Sequence, residues 1–140
     1  MAKGKYAKNI TTDIFYKDEK TPNASVSGTR HIADKWGGGY MTMDTAYVTQ
    51  AHVMISQPHV HKFPQYLNFF SANPQDAHDF DAEVEITMEG EKYIIREPSS
   101  VYVPAGVHHG PVVFARINKP LLFIDLAVSG TYSRVGNTPD

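Results

Sequence analysis

Hydrophobic and polar positions alternate with a period of two through most of the middle of the chain, and no sustained 3.6-residue repeat emerges anywhere. Residues 40–57 are rich in Thr, Val, Tyr and Ile, the types that pack well on a pleated surface, and read as one or two strands. Residues 66–70 continue as another. Residues 83–88 alternate and then meet Glu89-Gly90-Glu91, a hairpin turn leading into residues 92–96. Pro98-Ser99-Ser100 turns the chain again, into Val101-Tyr102-Val103. Residues 111–114 and 121–128 supply two more strands, the second so uniformly apolar that burial on both faces is expected. Many short strands separated by Gly and Pro turns, with no internal repeat, specify an all-β fold of the jelly-roll kind.

A chain of 140 residues is one domain, long enough to bury a proper core. Residues 1–40 read as an N-terminal arm or strand with loops, residues 41–130 as the barrel and residues 131–140 as a tail. Within the first part, Ile14-Phe15-Tyr16 is an apolar knot suited to a strand or to an arm crossing to a second subunit. Trp36-Gly37-Gly38-Gly39-Tyr40 is an aromatic-flanked loop in which the glycines permit unusual backbone angles. Thirteen Lys and Arg oppose fifteen Asp and Glu, and they are scattered, which argues against a nucleic-acid partner. The absence of cysteine excludes disulfides and thiolate metal sites, leaving histidine and oxygen ligands. Lys3, Lys5 and Lys8 have no apolar run behind them and no stretch has the length of a membrane span, so a cytoplasmic protein with no membrane partner is expected.

Candidate chemistry gathers in two stretches. The first is Gln57-Pro58-His59-Val60-His61-Lys62-Phe63-Pro64-Gln65. On a strand, residues two apart share a face, so His59 and His61 can aim two imidazoles at one cation. Pro64 cannot donate to a sheet ladder, and a bend there can swing the amide oxygen of Gln65 toward the same ion. The second stretch is Pro104-Ala105-Gly106-Val107-His108-His109, a tight reversal that can hand a histidine to the interior. With seven histidines a chance His-x-His arises roughly a third of the time, but both stretches in this order are about a one-in-a-hundred accident.

These residues resemble the two motifs of the cupin superfamily. The first motif has Gly, five residues, His-x-His, three or four residues, Glu, six residues and Gly; the second has Gly, five residues, Pro-x-Gly-x-x-His, three residues and Asn. His59, His61, Pro104, Gly106 and His109 match in identity and spacing. No Gly opens the first motif ahead of the His pair, Gln65 stands where the family has Glu, Ala72-Asn73-Pro74 lies near the missing closing Gly, and Val113 occupies the place of Asn. The resemblance spans residues 45–128. It implies a double-stranded β-helix barrel, one divalent transition-metal ion (Fe, Mn, Ni, Zn or Cu), and His59, His61, Gln65 and His109 as its ligands, with His109 chosen over His108 by the family spacing. A homodimer is implied in the same way.

Three neutral imidazoles and a neutral amide leave the charge of such an ion uncancelled, which sharpens Lewis acidity and favours an anionic small molecule as the incoming ligand. The expectation is a mononuclear metalloenzyme acting on a small oxygen-rich or aromatic organic molecule, by dioxygenase-like or by isomerase or lyase chemistry. The alternative is a metal-dependent small-molecule-binding or sensor module. If the metal lies inside the barrel, parity turns Ala51, Val53, Ile55 and Gln57 inward and His52 outward. Asp125 sits in an apolar run and needs a partner if buried; it is either hydrogen-bonded structure or part of the site.

Overall fold

A computed structural model describes residues 4–12, 28–32, 40–129 and 135. The Ile14-Phe15-Tyr16 knot, the glycine run 37–39 and nearly all of the tail lie outside them. A short 3-10 turn at Ala7–Asn9 precedes nine strands: β1 (Gly28–Ile32), β2 (Thr42–Val48), β3 (His52–Ile55), β4 (Gln65–Ser71), β5 (Ala82–Met88), β6 (Glu91–Ile95), β7 (Ser99–Val103), β8 (His109–Ile117) and β9 (Leu121–Ala127). They form two antiparallel sheets, a five-stranded one ordered β1-β2-β9-β4-β7 and a four-stranded one ordered β3-β8-β5-β6. Consecutive strands cross repeatedly from one sheet to the other, as in a jelly roll.

The core lies between the sheets. Phe69, Phe114 and Phe123 meet at its centre with ring centroids 5.2–6.2 Å apart, in the tilted and edge-on geometries that aromatic quadrupoles prefer. Leu67, Val84, Ile86, Val112 and Leu121 pack around them. The alternation that predicts β5 is visible in its burial, and β9, predicted from its apolar run, alternates as well. In β9, Leu121, Phe123 and Ala127 are buried, whereas Leu122, Ile124 and Leu126 on the opposite face are half-buried. The expected burial of that strand on both faces is therefore corrected: among the described residues, nothing covers the outside of the larger sheet completely. The β5–β6 turn is as the sequence predicts. Glu89 and Gly90 both have positive φ, 49° and 79°, as a two-residue turn matched to strand twist requires.

Parity along β3 is corrected too. His52 pairs with Phe114 and Val53 with Val113, after which a bulge shifts the register before Ile55. His52 therefore turns inward and stacks on Phe114 with centroids 5.0 Å apart, while Val53 is exposed. One extra residue in a strand reverses every later facing, and counting straight back from His59 missed it.

Candidate metal centre

His59 and His61 do not lie on a regular strand. Residues 56–64 form an irregular extended segment between β3 and β4, within which only His59 makes a β-bridge. Its partner is His109, the first residue of β8. Each donates its backbone N–H to the other's carbonyl at 2.9 Å. The backbone ladder thus sets the two distant stretches side by side. The Pro104-Ala105-Gly106 reversal is tied down at the same place, because Gly106 N–H donates to the carbonyl of His61 at 2.9 Å.

The three imidazoles converge. Ring centroids are 4.2 Å apart for His59 and His109, 4.8 Å for His59 and His61, and 5.2 Å for His61 and His109. Their potential ligand atoms all lie within 4.8 Å of one another. Two nitrogens bound at about 2.1 Å to one tetrahedral ion stand roughly 3.4 Å apart, so this is a slightly open version of a metal cage. All three rings are buried. Nδ1 of His109 lies 3.1 Å from the carbonyl of Val107. A carbonyl only accepts, so that nitrogen carries a proton, and Nε2 is the ring nitrogen that would ligate a cation. Phe63 stacks on His61 at 4.8 Å and 20°, an apolar wall against one ligand candidate. His108 is exposed, its N–H donating to Glu89 Oε1 at 3.0 Å.

Gln65 opens β4 beside Val103, the residue before the Pro104 reversal, and is 1% exposed. Its Nε2 donates to both carboxylate oxygens of Asp125, at 3.1 and 3.4 Å. Its Oε1 is buried and, among the described residues, has no hydrogen-bond partner. An unsatisfied buried carbonyl costs about 1–3 kcal/mol, which a cation would recover. The three imidazoles fit a transition-metal ion, and the buried amide oxygen of Gln65 is a hard donor of the kind that could join them.

Sequence reasoning singled out Asp125 but missed Asp44. The β2–β9 register sets these two residues directly opposite each other on the inner face. Burial pushes the Asp125 carboxyl up to about 7, the charge of Asp44 pushes in the same direction, and the Gln65 amide pulls back. Only long-range pairing joins Asp44 to Asp125, so no local pattern betrays it. Of the aromatic residues near the motifs, Phe69 belongs to the core, whereas Tyr47, Tyr66 and Phe70 point outward from the larger sheet.

No protein-family model matches the chain, and no curated protein matches its sequence. Solved structures do match its architecture. An oxalate oxidase in complex with the substrate analogue glycolate aligns at TM-score 0.56 and 15% identity, over 84% of this chain and 57% of its own. KdgF from Halomonas sp. aligns at TM-score 0.51 and 18% identity, over 88% of this chain and 97% of its own. A cupin-2 domain from Rhodospirillum rubrum aligns at TM-score 0.54 and 14% identity, over 89% and 74%. The chain thus spans little more than half the length of the oxalate oxidase. These likenesses show that the fold of this chain is the cupin barrel.

Proposed function

We propose that this chain is a mononuclear metalloenzyme acting in the cytoplasm on a small, oxygen-rich or aromatic organic molecule. The observation that carries the reading is the buried convergence of His59, His61 and His109. These three, with the oxygen of Gln65, would hold one divalent transition-metal ion, which when bound supplies Lewis acidity or, for a redox-active metal, dioxygen chemistry. The side chains offered to it are all neutral, so the positive charge is left for the substrate, and a carboxylate or enolate is the matching group. The oxalate oxidase holding glycolate is consistent with a small carboxylate of this type. Phe63 shields one side of His61 from water, and the Val107 carbonyl keeps His109 in one tautomer.

The test is elemental analysis of untagged protein purified without a chelating column, followed by an oxygen-consumption and substrate screen. About one transition-metal ion per chain is expected, lost in His59→Ala and His109→Ala together with turnover. Protein without stoichiometric metal refutes the reading, and stoichiometric metal with no turnover would instead support a binding or sensor module.

We also propose a homodimer formed through the outer face of the five-stranded sheet. The four-stranded sheet's exterior carries the ion pairs Lys92–Glu85 and Arg96–Glu83. The larger sheet instead presents two apolar rows, Tyr47-Leu122-Phe70 and Met43-Leu126-Tyr66-Tyr102. Tyr47, Tyr66, Phe70 and Tyr102 are each 41–51% exposed. Four strands about 4.8 Å apart and roughly 23 Å long project on the order of 440 Å², enough for the centre of a standard interface of about 800 Å² per partner. An uncharged face needs no complementary charge opposite it, and a second copy supplies a match by symmetry.

A further inference from the structure

We infer that Asp125 is a positioning residue: it grips the amide nitrogen of Gln65 and so presents the amide oxygen, rather than the NH2, to the metal centre. The inference rests on the metal-site reading above and extends it beyond the ligands.

Gln65 and Asp125 are diagonal neighbours on one inner face, because β4 and β9 pair Gln65 with Ala127 and Leu67 with Asp125. A glutamine amide is nearly symmetric in shape, so packing alone does not choose which end faces which way; the hydrogen-bond partner does. Both Asp125 oxygens accept from the Nε2 end, and the oxygen end is thereby turned off the carboxyl group and, among the described residues, left buried without a hydrogen-bond partner. Donating to a carboxylate also polarises the amide, placing more electron density on Oε1 and making it a better donor to a cation.

The same arrangement accounts for Gln where the cupin pattern has Glu. Asp125 already faces Asp44 across the β2–β9 pair. A glutamate at position 65 would bring a third carboxylate against these two, and like charges in a desolvated layer repel strongly. Glutamine moves the balancing negative charge one layer back, from the ligand to its support. Asp125 is therefore the functional complement of the Gln65 exchange rather than a second site.

Two readouts test this without relying on turnover. The first is the side-chain NH2 signal of Gln65 in the 1H–15N spectrum of metal-free protein. Gripped by Asp125, these protons should exchange with solvent at least tenfold more slowly than those of the exposed Gln57 and Gln75. The second is Co(II) affinity by chelator competition, with the Co(II) visible spectrum as a report on the donor set. Asp125→Asn should lower affinity about 10- to 100-fold, the usual effect of losing a ligand's support. The double variant Gln65→Glu/Asp125→Asn restores a carboxylate beside an amide with the roles reversed, and should recover Co(II) affinity to within about threefold of wild type. A role for Asp125 in folding alone predicts no such rescue.

Fast-exchanging Gln65 protons in wild type overturn the inference, a result that needs no variant to fold. So does an unchanged Co(II) affinity in Asp125→Asn while His59→Ala abolishes binding; that combination leaves the metal reading intact. A wild type that binds no Co(II) removes the metal reading itself, and with it the inference, even where the Gln65 protons prove protected.

Discussion

Gly110→Ala is the perturbation whose size follows most directly from the geometry. Gly110 follows His109, is buried, and has φ +107°, a region L side chains rarely adopt. A methyl group there would sit 2.8 Å from the carbonyl oxygen of Gln57, 3.1 Å from Ile55 Cγ2 and 3.3 Å from Pro58 Cα. The first and third of these neighbours are backbone, which cannot step aside as a side-chain tip does. Left-handed backbone costs about 1–2 kcal/mol, and an added methyl in a tight site about 1–3 kcal/mol more. The sum is roughly 2–5 kcal/mol. Gly90→Ala is the matched control, since its φ is +79° but nothing lies within 4 Å of the added carbon; only the first of the two costs applies. Urea unfolding of metal-free protein measures both. The displaced segment runs through Pro58 straight into His59, so the His59–His109 bridge should open and metal affinity fall in Gly110→Ala but not in Gly90→Ala. Stabilities of the two variants within about 0.5 kcal/mol of each other would refute the reasoning.

Other outcomes follow from burial and charge. Phe69→Ala removes the fully buried centre of the aromatic core and should cost about 3–5 kcal/mol in the same urea titration. The Asp125 carboxyl is raised from 3.8 to about 7 in the folded protein. The folded state therefore keeps a proton that the unfolded chain has released, and stability falls as pH rises between about 4 and 7, by on the order of a few kcal/mol. Subtracting the urea-derived stability of Asp125→Asn at each pH removes the contribution of the histidines, and a flat difference across that window contradicts the assignment. Tyr66→Lys/Tyr102→Lys should convert the dimer to monomer in light scattering at micromolar concentration without changing the far-ultraviolet spectrum; a monomeric wild type would end the dimer proposal.

Much of the fold was legible because its signal is local. The period-two alternation of β5 and the Glu89-Gly90 turn are each contained in a few neighbouring residues, and each reappears where expected. The histidine positions were legible for a different reason: spacing and resemblance marked residues whose meeting depends on pairing across fifty positions. The failures have one origin. His52 was assigned the wrong face because a bulge in β3 adds a residue that alternation does not record. The segment around His59 and His61 was expected to be a strand, yet it is held by a single bridge and by the N–H groups of Gly106, Val128 and Val135. Asp44 passed unnoticed because its significance lies in what β9 places opposite it. Register errors and register-dependent partners are the information that a one-dimensional pattern lacks.

On the metalloenzyme reading proposed above, the polar groups of the centre have complementary tasks at increasing depth. The imidazoles are held by backbone: His59 and His109 through their mutual bridge, and His109 also through the Val107 carbonyl. The Gln65 amide is neutral but polar at both ends, with its NH2 on the Asp125 carboxyl group. The carboxylates of Asp44 and Asp125 stand behind the amide, on strands central to the larger sheet. A carboxylate placed directly among the imidazoles would cancel part of a cation's charge and compete with an anionic substrate for it. Set back behind an amide, the same charge still helps to hold a cation, while the incoming anion meets only neutral ligands. This division between retaining the metal and attracting the substrate follows from one exchange, Gln for Glu at position 65, together with the β4–β9 register that brings Asp125 beneath it.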